Sequence, residues 1–175
     1  MAEGGGMTTT QALALNTTQQ LDASARAGKG GGECVKVVVR VRPLFGKEIN
    51  EGREKIVFMD CARGVAVLQK PGGSERDHKE FTFDAVFDEN FTQQKIFEDA
   101  ALEIVESVMD GFNGTIFAYG QTGAGKTYTM TGEPAAEGIA PCTVDAIYGI
   151  MDMHCGKVRY DVKASIVELY CNRFT

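Results

Sequence analysis

Gly120-Gln121-Thr122-Gly123-Ala124-Gly125-Lys126-Thr127 follows the pattern G-x-x-x-x-G-K-[ST], and the chemistry of that spacing is the holding of phosphate. Glycines let the chain adopt positive φ and approach a ligand with no Cβ in the way. Successive main-chain N–H groups can then converge on phosphate oxygens. A helix opening near Gly125 would add unpaired N–H groups and partial positive charge. Lys126 would bring a full charge to the β- and γ-phosphates. Gln121 and Thr122 are expected to contribute backbone contacts, and Ala124 belongs to the same nucleotide-binding loop. The Thr127 hydroxyl is a hard oxygen ligand suited to Mg²⁺.

Other chemistries find less support. The five cysteines, Cys34, Cys61, Cys142, Cys155 and Cys171, form no C-x-x-C, and an odd number favours free thiols in a reducing, cytosolic setting. His154-Cys155 has only His78 as a further histidine, so no zinc set closes. The formal charge of −6, with no basic tract, argues against a nucleic-acid binder. No apolar run approaches a membrane span. The N-x-[ST] triplets at Asn16, Asn90 and Asn113 follow no secretory leader and read as coincidence.

A phosphate loop needs a strand before it and a helix after it. Thr115-Ile116-Phe117-Ala118-Tyr119 is a β-branched and aromatic run expected to be a buried strand, and Lys126–Met130 continues without a breaker. Upstream, Val35, Val37, Val39 and Val41 alternate with Lys36, Arg40 and Arg42 until Pro43 ends the strand. Short strands are expected at 56–59 and 65–68, with a turn at Pro71-Gly72-Gly73 and extended chain at Phe81-Thr82-Phe83. Ile96, Phe97, Ala100, Ala101, Ile104, Val105 and Val108 recur at helical spacing, predicting a helix over 93–110 capped by Gly111. A further helix from about Pro141 would bury Val144, Ile147, Tyr148 and Met151. The alternation from Val158 to Ile166 predicts a half-buried strand. Residues 1–33, glycine-bracketed and without aromatics, read as a flexible low-complexity tail, with the packed domain at 34–175. The fold class is α/β, a layered P-loop NTPase sheet with helices on both faces.

The loop by itself does not choose among an ATPase, a GTPase, a nucleotide kinase and a motor. The neighbouring residues do. Arg40-Val41-Arg42-Pro43-Leu44, the F-T-F-D-A-V-F of residues 81–87, the T-Q-Q-K-I-F of 92–97 and the N-G-T-I-F-A-Y-G-Q-T-G-A-G-K-T-Y-T-M-T-G beginning at Asn113 occur in this order. Together they resemble the N-terminal half of a kinesin motor domain. The resemblance implies ATP and Mg²⁺ as cofactors, a microtubule as partner, and a cytoplasmic, cytoskeletal location. It also implies that the adenine lies beside Arg40, Arg42, Pro43 and Tyr128. Tyr128 offers a flat face to a base, and an arginine plane can stack on the other side. On the residues alone, Arg40 and Arg42 read first as a solvated strand edge, a reading that the resemblance reverses, and the alternative for Tyr128 is a core aromatic.

The two switch segments of kinesins, roughly N-x-x-S-S-R-S-H and D-L-A-G-S-E, do not occur in these 175 residues. Phosphoryl transfer needs groups that place the attacking water and sense the γ-phosphate. The expectation is therefore an incomplete motor domain, cut before its switches and main microtubule surface. It would bind nucleotide and turn it over poorly. The alternative is a kinesin-like module without turnover.

Overall fold

A computed structural model describes residues 35–73 and 77–167, the backbone of a strand at Thr10–Thr18, and two short strands at Leu169–Tyr170 and Arg173–Phe174. The first half of the chain holds β1 (Thr10–Thr18), β2 (Val35–Val41), α1 (Gly46–Asn50), β3 (Val57–Asp60), β4 (Val65–Gln69), β5 (His78–Thr82) and β6 (Ala85–Phe87). Then come α2 (Gln93–Ala100), α3 (Leu102–Met109), β7 (Asn113–Tyr119), α4 (Lys126–Met130), β8 (Gly132–Glu133), β9 (Ala136–Glu137) and α5 (Ile139–Met153). The strands β10 (Leu169–Tyr170) and β11 (Arg173–Phe174) pair with each other.

The main sheet has the order β6-β2-β1-β7. β6 runs parallel to β2, while β1 runs antiparallel to both β2 and β7. β2 and β7 therefore point the same way with one strand between them. Alternation along β2 divides its side chains between two layers. Val38 joins Phe87 under Ile96, Phe97, Ala100 and Ile104 of the helices. On the opposite face Val39 packs on Ala66 and Val86, and Val41 packs on Ile56 and Val57. Ile96 is only 1% exposed; burying such a side chain contributes about 1.5–3 kcal/mol.

Several expectations change here. Helices α2, α3 and α5 cover one face of the sheet, whereas the other is covered by the antiparallel β3-β4-β5 sheet. Among the described residues there are not helices on both faces. Strands β3, β4 and β5 pair antiparallel in chain order, with Gly64 (φ +67°) in the turn between β3 and β4, and so pack as a sheet. Thr10–Thr18, inside the stretch expected to be a flexible tail, forms β1; a strand between two neighbours finds partners for both backbone edges. The remainder of 1–33 lies outside the described residues.

The strand before the phosphate loop is not buried. β7 ends the sheet, leaving Phe117 46% and Tyr119 72% exposed, while Ile116 and Ala118 pack toward the helices. Residues 158–166 do not form the expected strand, and Ile166 is 97% exposed, because no described strand lies alongside to take their hydrogen bonds. Helix α5 starts at Ile139, before Pro141, which the first turn tolerates. It turns Ile139, Cys142, Ala146, Ile147 and Ile150 to the core and leaves Val144 and Tyr148 outside.

The helical run 93–110 stands as α2 and α3 around Ala101 (φ −117°, ψ −32°). Its ladder continues there: the Ala101 N–H donates to the Phe97 carbonyl at 2.9 Å, and its own carbonyl accepts from Ile104 and Val105. Thr92 caps the start by accepting from the Lys95 N–H. Gly111 (φ +98°) ends the run as expected, its N–H donating to Val108 O while Phe112 N–H reaches Ser107 O.

Candidate functional site

The glycine-rich segment from Gly120 to Thr127 joins β7 to α4 at the end of the sheet. Gly123 (φ +81°) and Gly125 (φ +93°) stand in the left-handed region where other residues are strained. The turn is closed by Ala124, whose N–H donates to Gln121 O at 3.1 Å and whose side chain is buried. A Cβ built on Gly123 would meet nothing within 4 Å, so the loop opens on free space there. Lys126 reaches back across the loop, its Nζ donating to Gly120 O at 2.7 Å and Gln121 O at 2.8 Å. A cation is thus held over a ring of glycine backbone. Gln121, Thr122 and Thr127 are exposed around it.

Tyr128 follows the loop and is half-exposed. The Arg40 guanidinium lies behind it, 5.1 Å from the ring centre. Arg40 donates to Gln93 Oε1 at 2.6 Å and to Thr129 Oγ1 at 2.9 Å. Burial pulls its pKa below the usual arginine value, against the opposing influence of Tyr128. Gln93 also donates to the carbonyls of Tyr128 and Ala136. No role for Gln93 follows from the sequence alone. A polar residue at the first position of an amphipathic helix was the available signal, and only the fold reveals that it is buried. A cleft of about 570 Å³ opens beside this cluster, between Thr92, Gln93, Tyr128, Ala136 and Glu137.

Arg42 is placed differently. Its Nη1 and Nη2 grip Glu48 at 2.8 and 2.6 Å, its Nη1 also donates to Pro43 O, and its guanidinium covers the Phe45 ring at 4.5 Å. Glu48 in turn accepts from the Phe45 N–H at 2.9 Å. The Arg42 hydrogen bond, reinforced by that N–H, brings the Glu48 carboxyl down to about 2, and the pair raises Arg42. Arg42 thus clasps the turn into α1. Pro43 is exposed at the head of that turn.

Among the described residues no group of three or more His, Cys, Asp or Glu side chains is placed to hold a metal ion. Cys142 is buried and desolvation pushes its thiol up, so it packs as a small apolar group. Cys61, Cys142 and Cys155 are free thiols. No described helix is long and apolar enough to cross a membrane.

The pattern described as "Kinesin motor domain" covers residues 40–175. Kinesin-like protein KIF3C of Pongo abelii is 42% identical over 142 residues, which is 79% of this chain and 18% of that protein. The proteins of the same name from Mus musculus and Bos taurus match to the same extent. The chain thus spans 18% of the length of these relatives. The glycine loop with its bridging lysine, the arginine-backed tyrosine after it, and the match over residues 40–175 agree, and the chain belongs to the kinesin motor domain family.

Proposed function

We propose that this chain is the ATP-binding part of a microtubule motor ATPase, in which ATP hydrolysis drives movement along microtubules in the intact protein. The observation that carries the reading is the Lys126 ammonium bridging the carbonyls of Gly120 and Gln121 over an open glycine turn. Released onto a ligand, it would meet the β- and γ-phosphates, while the N–H groups from Gly120 to Thr127 surround the phosphate chain. Thr127 is exposed where its hydroxyl would be the one protein ligand of Mg²⁺, an ion that keeps waters and phosphate oxygens for its other positions. Bound there, the ion supplies neutralising charge to the phosphate oxygens. Tyr128 would stack on the base with Arg40 behind the ring, and Pro43 would border it. Arg42 would serve this side indirectly by holding the turn that carries Pro43.

Calorimetric titration with Mg·ATP tests the reading. Micromolar binding is expected, with affinity at least about tenfold weaker in Lys126→Ala, since a charge-assisted contact is lost. Equal affinity in the variant, or a preference for GTP, would remove the assignment.

A second reading is binding without turnover by these 175 residues, favoured by the absence of both switch strings from the sequence. Turnover that rises with added microtubules would exclude it. The partner of the intact protein in this reading is the microtubule. We likewise assign the protein to the cytoskeleton.

A further inference from the structure

The geometry points to Gln93 as a positioning residue for the base-binding side of the site, acting through Tyr128 and Arg40; the inference rests on Tyr128 facing a nucleotide base. Gln93 is a neutral polar side chain only 7% exposed. Such a group is costly to bury unless each end is matched. Thr92 already supplies the helix cap, so the Gln93 amide is not spent there. Its oxygen accepts from Arg40 at 2.6 Å, and its nitrogen donates to the carbonyls of Tyr128 and, at 3.4 Å, Ala136.

The partners fix the amide in one orientation. Reversed, it would set N–H against the Arg40 guanidinium and a carbonyl against two carbonyls. One side chain on α2 therefore holds the backbone of Tyr128, the cation behind its ring, and the β8–β9 hairpin. Arg40 carries the linkage on to Thr129 at 2.9 Å. Gln93 does not touch the phosphate loop by any of these bonds. Its loss should misplace the stacking surface and leave the phosphate cradle intact, so the two halves of a nucleotide become separable probes.

The test uses the full chain and titrates Mg·ATP and inorganic tripolyphosphate into wild type, Gln93→Ala and Gln93→Glu. Amide hydrogen exchange over residues 128–137 is followed without ligand. For Gln93→Ala the expected result is an ATP affinity about tenfold weaker, a tripolyphosphate affinity within about twofold of wild type, and faster exchange in 128–137. Gln93→Glu keeps the acceptor for Arg40 but sets a carboxylate oxygen against the carbonyls of Tyr128 and Ala136, so it too should weaken ATP and speed exchange in 128–137 while sparing tripolyphosphate. It carries the test if circular dichroism finds the alanine variant unfolded. Unchanged ATP affinity and exchange would overturn the inference. So would parallel loss of both ligands, which marks general structural support. A wild type that binds tripolyphosphate but not ATP would instead refute the base-facing role of Tyr128, while hydrogen exchange still scores the hold of Gln93 on that segment.

Discussion

Arg40 lies in β2 and Arg42 just past its end, two residues on, yet their chemistry is different. Arg40 turns to the helix layer and backs Tyr128, whereas Arg42 is committed to Glu48. The second pair carries a pH signature. Glu48 is held down to about 2 from an ordinary 4.5, so its contribution to stability is complete above pH 4.5 and disappears as pH falls through 2. Urea unfolding of wild type and Glu48→Gln should therefore differ by a constant amount above pH 5, with the gap closing toward pH 2. A gap that does not change with pH would mean that the ion pair contributes nothing beyond the neutral hydrogen bonds.

At the scale of elements, close approach sets the connections around the site. Gly132 (φ +75°) starts the β8–β9 hairpin, and a Cβ there would lie 2.3 Å from Ala136 O and Gly138 N. Both are backbone atoms that cannot swing aside. Gly132→Ala should cost about 2–4 kcal/mol of unfolding free energy in chemical denaturation; a cost under ~1 kcal/mol would mean that the hairpin moves freely. Strand β1 makes a different connection. It is the one described strand that pairs with β7, and it lies outside the matched family region 40–175. It aligns Ala12 with both Val39 and Tyr119, setting the arginine strand and the phosphate-loop strand in register. Deleting residues 1–18 should lower Tm by about 2–4 °C or more in calorimetry, as expected for loss of roughly 1 kcal/mol or more in a domain of this size. An unchanged Tm would show that β7 holds its place through the helix layer alone.

Across the whole molecule, covered and uncovered surfaces are divided sharply. β2 and β6 lie between the helices and the β3-β4-β5 sheet, while β7 ends the main sheet with Phe117 and Tyr119 outward. Val144 and Tyr148 of α5 add further exposed apolar surface. An unpaired strand edge beside exposed aromatics favours association. Light scattering of concentrated wild type should exceed that of Phe117→Lys, which puts a charge on that face; equal scattering would locate any association elsewhere.

The sequence by itself determined the glycine turn after β7, the stripe from Ile96 to Val105 and the stop at Gly111, while Val108, expected in the stripe, is 38% exposed. Each depends on residues a few positions apart: glycine tolerance of positive φ, helical spacing, a C-terminal cap. Tertiary structure alone decided that Gln93 is buried, since its link to Arg40 spans 53 residues and Arg40's link to Thr129 spans 89. It also decided that Arg42 belongs to Glu48, which face of α5 meets the core, and that Val158 to Ile166 forms no strand with another described segment while Thr10–Thr18 pairs on both sides. A strand requires a neighbour and a buried polar group requires a partner, and what stands opposite a residue is not written in the residues beside it.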